Sequence, residues 1–130
     1  PSMNRDKIRS VRDLVVWQVG MRISVRCYRL TEAFPKSELY GLTSQIRRAA
    51  VSVPANIAEG FGRGNPGDYH RHLSIAQGSL KELETLLELS QMLDLADSSS
   101  EEILASCDEQ GKMLRALIGK IRERRSGVGK

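Results

Sequence analysis

The chain has 130 residues, of which 40% are hydrophobic and 28% are charged, and its formal net charge is +4. This composition is typical of one globular domain rather than a disordered chain, and no apolar run approaches the roughly 20 residues that span a bilayer. The N-terminus lacks the apolar segment of a signal peptide, so we expect a cytoplasmic protein without membrane contact. Cys27 and Cys107 fall in apolar helical stripes, so we expect both thiols to be buried.

The first predicted helix covers residues 13–34 and follows an N-terminal segment of residues 1–12. Its apolar side chains recur at helical spacing, and one continuous stripe consists of Val16, Gly20, Ile23, Cys27, Leu30 and Phe34. Pro35 is expected to end this helix, because a proline disfavours helical geometry in the residue before it.

The second predicted helix, residues 40–61, is the most informative part of the chain. Between residues 49 and 58 only Ser52 and Asn56 are polar. A helix that is apolar nearly all round must be covered on more than one side. We therefore expect it to pack inside its own bundle and also against another subunit.

Pro54 lies inside this second predicted helix. It has no N–H to donate to the carbonyl of Ala50, and its ring crowds that carbonyl, so the sequence predicts a kink. Asn56 and Glu59 are polar residues near this point. We expect them to satisfy backbone groups or each other across a helix contact, because buried polar atoms need partners.

Residues 60–67 include four glycines and predict a turn between two helices. Asn65 suits the N-cap position and Pro66 the first helical position, so a third predicted helix covers residues 66–95. Within it, Gly78 and Ser79 are small enough to permit a close helix approach.

The fourth predicted helix covers residues 99–125, and residues 126–130 are expected to form a flexible tail. Ser99 and Glu102 have the spacing of a capping box at its start. Strand patterns are absent and the connections are short. Residues 13–125 therefore predict an all-α fold, an antiparallel up-down-up-down four-helix bundle.

Four stretches of the sequence show a family resemblance: residues 13–18 (DLVVWQ), 34–42 (FPKSELYGL), 45–60 (QIRRAAVSVPANIAEG) and 75–84 (IAQGSLKELE). They resemble the bacterial four-helix-bundle proteins named for the 23S ribosomal RNA intervening sequence. The resemblance implies a ring-like homopentamer, with no settled biochemical activity and no catalytic residues to transfer. A related branch, the accessory variability proteins of diversity-generating retroelements, works with a reverse transcriptase and binds nucleic acid.

An up-down-up-down bundle gathers distant basic residues at one end. These residues are Arg5, Lys7, Arg9, Arg12, Arg63, Arg71, Lys120, Arg122, Arg124 and Arg125. The opposite end is expected to gather Glu32, Asp94, Asp97, Glu101 and Glu102. In a ring of parallel subunits the basic ends would form one positive face, which attracts the phosphate backbone of RNA or DNA. Ordinary solvated surface and docking of a protein partner are the alternative interpretations.

The apolar surface of the second helix predicts a subunit interface. The residues expected there are Arg47, Arg48, Val51, Pro54, Ala55, Ala58 and Glu59. Arg47 and Arg48 sit beside the most apolar part of this surface. We expect them to form ion pairs between subunits, with Glu59 or another acidic side chain, rather than to contact phosphate.

No pattern of catalytic, cofactor-binding or metal-binding residues stands out. His70 and His72 are two residues apart and point to different helix faces, so they cannot form an i, i+4 zinc pair. The glycines of residues 60–67 join two helices and lack the sequence of a phosphate loop. The first hypothesis is therefore a non-enzymatic oligomeric protein that binds RNA or DNA. The alternative is an oligomeric scaffold that docks a protein partner without binding nucleic acid.

Overall fold

Four long helices make up the described part of the molecule. The computed structural model describes residues 8–126, with side chains for residues 8–124, and no strand forms in this range. The long helices are α1 Val15–Glu32, α2 Ser44–Arg63, α3 Pro66–Met92 and α4 Ser99–Ser126. Short 3₁₀ turns at Val11–Asp13 and Lys36–Glu38 and a π turn at Leu39–Thr43 precede α1 and α2. None of these helices has the length and apolarity required to cross a membrane.

The four helices form a bundle around one apolar core. α1 packs on α2 and α4, and α3 packs on the same two helices, so α1 and α3 lie at diagonal corners. Ile46, Ile57, Leu80 and Leu114 are among the fully buried side chains. Burial of each such side chain contributes about 1.5–3 kcal/mol to folding. The predicted all-α four-helix bundle is confirmed for the described residues.

Side-chain oxygens define the starts of α3 and α4. Asn65 Oδ1 accepts from the Asp68 N–H at 2.8 Å, so Asn65 caps α3 as predicted. At α4 the predicted capping box of Ser99 and Glu102 is wrong, because Asp97 Oδ1 accepts from the Ser99 N–H at 2.9 Å. A carboxylate suits this position since its negative charge complements the positive end of the helix.

α2 begins at Ser44, later than the predicted residue 40. The backbone of Gly41 is not helical, with φ −113° and ψ −113°. Glu38 Oε1 accepts from the Leu42 N–H at 3.2 Å. The chain therefore makes a separate π turn before α2 begins.

α2 continues as one helix from Ser44 to Arg63 although Pro54 lies inside it. Asn56 Nδ2 donates to the Ser52 carbonyl oxygen at 2.9 Å, so Asn56 does satisfy a backbone group. Glu59 instead pairs with Arg63, at 2.8 Å, one turn later in the same helix. The two polar residues near the proline thus have separate partners and do not pair with each other.

Glycines have different roles along α2 and α3. A Cβ at Gly60 would lie 2.8 Å from His72 Cβ and 3.1 Å from Tyr69 Cδ1, so the two helices approach closely there. Gly64 ends α2 with φ 82°, in the left-handed region that favours glycine. Gly78 faces open space, with no atom within 4 Å of a Cβ built on it. The close helix approach predicted at Gly78 is therefore wrong within one chain.

Candidate nucleic-acid interface

The start of α1, the α2–α3 turn and the end of α4 lie together at one end of the bundle, called here the basic end. Lys120 of α4 shares a groove with Val15 and Val16 of α1. Arg124 of α4 shares a cleft with Gly64 of the α2–α3 turn. Antiparallel packing thus unites basic residues that are far apart in the sequence.

Most of the predicted basic residues are exposed in the segments that form this end. They are Arg9, Arg12, Arg63, Arg71, Lys120, Arg122 and Arg124. Arg5 and Lys7 lie outside the described residues, and so does the side chain of Arg125, whose backbone belongs to the last turn of α4.

Three acidic side chains at the basic end, Asp13, Glu59 and Asp68, accept hydrogen bonds from neighbours. Asp13 accepts from the backbone N–H groups of Arg9 and Ser10. Glu59 accepts from the guanidinium of Arg63, and Asp68 accepts from the side-chain amide of Asn65. These bonds hold the pKa of each carboxyl below its usual value. All three are therefore charged at neutral pH, and they reduce the positive charge without cancelling it.

A small cleft at the basic end combines two aromatic rings with a cation. It has a volume of about 170 Å³ and is lined by Phe61, Tyr69 and Arg124, among others. The two rings meet edge to face, with centroids 6.1 Å apart and an interplanar angle of 78°. Burial raises the pKa of the Tyr69 hydroxyl, which is therefore a neutral hydrogen-bond donor. Sequence reasoning missed this pair, although Phe61 lies in the predicted turn and Tyr69 follows it closely.

A chain of hydrogen bonds leads from the basic end into the contact between α2 and α3. Arg71 lies 3.3 Å from His72 Nε2, and His72 Nδ1 lies 3.0 Å from Asn56 Oδ1. Asn56 in turn donates to Ser52, whose Oγ lies 2.8 Å from Ser79 Oγ. Because a guanidinium only donates, Nε2 of His72 accepts and its Nδ1 carries the hydrogen. The buried His72 is a polar contact between helices.

The opposite end combines acidic residues with arginines of α1. Arg26 and Arg29 of α1 line a groove of about 330 Å³ together with Asp97 and Glu102. Arg22, Arg26 and Arg29 are all exposed on α1. Positive charge therefore follows α1 towards the second end, where it lies beside the predicted acidic residues Asp97 and Glu102.

The residues predicted at a subunit interface fall into two groups. Five lie on the outer ridge of α2, and these are Arg48, Val51, Ala55, Ala58 and Glu59. Pro54 is buried, and a Cβ at Gly20 of α1 would lie 3.3 Å from it. Arg47 Nε donates to Thr31 Oγ1 at 2.9 Å, and its guanidinium lies 4.4 Å from the Tyr28 ring centroid. Arg47 is thus engaged within its own chain.

The described residues contain no group of three His, Cys, Asp or Glu side chains that could hold a metal ion. Cys27 and Cys107 are free and buried, and burial raises the pKa of each thiol to about 12. Thiols in such surroundings stay protonated and unreactive. Both cysteines therefore serve as core side chains.

Fold and site together define a small all-α four-helix-bundle protein with one cationic end. The family model of the 23S rRNA-intervening sequence protein matches residues 12–116, and the chain belongs to this family, as its sequence motifs predict. A solved structure of a protein with unknown function, from the S23 ribosomal protein family of Bacteroides thetaiotaomicron VPI-5482, is similar. It is 26% identical, with a TM-score of 0.74, and the match covers 81% of this chain and 96% of that chain. The comparison with curated proteins gave no match.

Proposed function

We propose that the chain is a non-enzymatic, oligomeric protein that binds the phosphate backbone of RNA or DNA with its basic end. The proposal rests on one observation: seven exposed basic side chains, from four separate segments of the chain, lie at the basic end. Binding of phosphates by such cations releases condensed counterions, which favours association with any nucleic-acid backbone. The aromatic cleft beside Arg124 adds a surface on which an unpaired base can stack.

We also propose that copies of the chain form a parallel, ring-like homopentamer in the cytoplasm. Val51 and Ala55 on the outer ridge of α2 are exposed apolar side chains that a second copy would cover. In a parallel ring the basic ends of all subunits point the same way. Their charges then act together on one nucleic acid, which raises its affinity above that of a single end.

The experiment compares two triple variants with the same net charge. Arg12→Gln, Lys120→Gln and Arg124→Gln together neutralise the basic end, whereas Lys36→Gln, Lys81→Gln and Lys112→Gln neutralise exposed cations outside it. Both variants change the formal net charge from +4 to +1, since each removes three cations.

Fluorescence anisotropy of a labelled, structured ribosomal RNA fragment measures the affinity of each protein. We expect the first variant to bind at least about tenfold more weakly than the wild type, because three phosphate contacts are lost. The control variant should stay within about twofold of the wild type. Equal losses in the two variants would show that binding follows net charge and not the basic end.

A scaffold that docks a protein partner is the competing proposal. Leu89, Met92 and Leu93 near the end of α3 are exposed apolar side chains, and Met92 is 81% exposed. Acidic residues surround them in the sequence, including Glu88 and Asp94. Absence of RNA binding at low salt would favour this second function.

A further inference from the structure

The aromatic cleft, which lies between the α2–α3 turn and the end of α4, has room for one small group. Its volume is about 170 Å³, which is below the roughly 300–1,000 Å³ of pockets that enclose drug-sized ligands. Phe61, Tyr69 and Arg124 line it together with residues of the turn. The size and the aromatic walls suit a single planar ring system.

The two rings of the aromatic cleft stand almost at right angles, with an interplanar angle of 78°. A flat group that stacks on one ring therefore meets the other ring with its edge, and both arrangements are favourable between aromatic systems. Tyr69 packs closely on α2, since a Cβ at Gly60 would lie 3.1 Å from its Cδ1. The contact between α2 and α3 thus positions the rings before any ligand binds.

The charged residue that lines the aromatic cleft is a cation. Burial raises the pKa of Tyr69 and the charge of Arg124 lowers it in part, which places the guanidinium near the phenol. Arg124 is exposed, and within residues 8–124 no carboxylate forms an ion pair with it. Lys120 lies one turn earlier on the same side of α4 and adds a second cation.

Three carboxylates belong to the segments around the aromatic cleft, but none of them lines it. Glu59 and Asp68 accept hydrogen bonds from neighbouring side chains. Glu123 precedes Arg124 in α4, so its side chain points about 100° away around the helix. The charge that lines the cleft is therefore positive, which favours an anionic occupant.

We propose that the aromatic cleft receives one unpaired nucleobase, with Arg124 on the phosphate beside it. Proteins bind unpaired nucleotides without reading their sequence by this combination of stacking on aromatic rings and cations along the backbone. A base inside a continuous duplex is stacked on its neighbours and cannot enter the cleft. The chain therefore prefers RNA or DNA in which an unpaired nucleotide interrupts the duplex. This preference rests on the proposed binding of the phosphate backbone by the basic end and specifies its substrate.

Two RNA hairpins of the same length test the aromatic cleft on the wild-type protein. Each has one bulged nucleotide at the same position, which is an adenosine in the first hairpin and an abasic residue in the second. The two RNAs carry equal numbers of phosphates, so they differ only in the base that stacks. By fluorescence anisotropy, we expect the wild type to bind the adenosine hairpin at least about fivefold more tightly.

Phe61→Leu removes one ring of the aromatic cleft, and Tyr40→Leu is its matched control. Tyr40 lies in the π turn before α2, at the opposite end of the bundle, and is 92% exposed. Phe61→Leu should bind both hairpins about as tightly as the wild type binds the abasic one, whereas Tyr40→Leu should keep the wild-type preference. An unchanged affinity for the abasic hairpin shows that Phe61→Leu is folded and that its basic end is intact.

Equal affinities of the wild type for the two hairpins would overturn the nucleobase site, while binding of phosphate by the basic end would stand. A preference that persists in Phe61→Leu, or that is lost equally in Tyr40→Leu, would also overturn it, because the base would then not stack in the aromatic cleft. If the wild type bound neither hairpin at low salt, the proposed nucleic-acid binding would itself be contradicted, and the nucleobase site with it.

Discussion

Ser24 of α1 places its Oγ 3.2 Å from the backbone carbonyl oxygen of Ala50 in α2. This carbonyl has lost its usual helical donor, because the residue four positions later is Pro54. The Ser24 Oγ also lies 3.0 Å from the carbonyl oxygen of Gly20, so its hydrogen can turn to either acceptor. The neighbouring helix thus supplies the hydrogen bond that the proline removes, and a buried carbonyl is not left unpaired.

Substitution of Ser24→Ala should lower the free energy of unfolding by about 1–2 kcal/mol, since the Ala50 carbonyl would then lack a donor. In a Pro54→Ala background the same substitution should cost less, because the backbone N–H at position 54 is restored. A double-mutant cycle followed by urea denaturation should give a coupling of about 1 kcal/mol. If Ser24→Ala lowered the free energy of unfolding equally in the wild type and in Pro54→Ala, the hydrogen bond from Ser24 to the Ala50 carbonyl would be refuted.

Gly60 and Gly62 form a matched pair within α2. A Cβ at Gly60 would collide with His72 Cβ at 2.8 Å, whereas one at Gly62 meets nothing within 4 Å. Gly60→Ala should therefore cost about 1–3 kcal/mol in unfolding free energy, through forced separation of α2 and α3. Gly62→Ala should be neutral or stabilise by up to about 1 kcal/mol, because alanine favours the helix. If Gly60→Ala had a higher thermal unfolding temperature than Gly62→Ala, the close contact of α2 and α3 at Gly60 would be contradicted.

Because Asp97 caps α4, the free energy of unfolding should depend on pH in the acid range. Hydrogen bonds from the Ser99 hydroxyl and N–H hold the pKa of Asp97 below its ordinary value of 3.8. Because the pKa is lower in the folded state, the stabilising contribution is present above pH 3.8 and is lost as the pH falls through the folded pKa. Between about pH 4 and pH 2, stability of the wild type should fall more steeply than that of Asp97→Asn. Parallel profiles for the two proteins in denaturant titrations would disprove this role.

Local signals in the sequence were sufficient for some features of the fold. The cap at Asn65 followed from the side-chain chemistry of residues next to each other. The core stripe with Ile23 and Leu30 followed from helical spacing, since both are buried as expected. These features depend on neighbours within one or two helical turns.

Features that depend on another helix were missed or mistaken. The partner of Ala50 is Ser24, which lies 26 residues away. The contacts of Arg47 with Thr31 and the Tyr28 ring within the chain were also missed. Gly78 suggested a close contact, but the helical phase of α3 turns it outward. Such contacts depend on the relative rotation of packed helices, which spacing along one helix does not determine.

The salt dependence of RNA affinity tests the proposed nucleic-acid binding most directly. For each phosphate that a protein neutralises, the slope of log affinity against log salt steepens by about 0.7–0.9. The wild-type slope should therefore be steeper by about two to three than that of the variant combining Arg12→Gln, Lys120→Gln and Arg124→Gln. Equal slopes for the two proteins, or no binding by the wild type at low salt, would contradict binding of the phosphate backbone by the basic end.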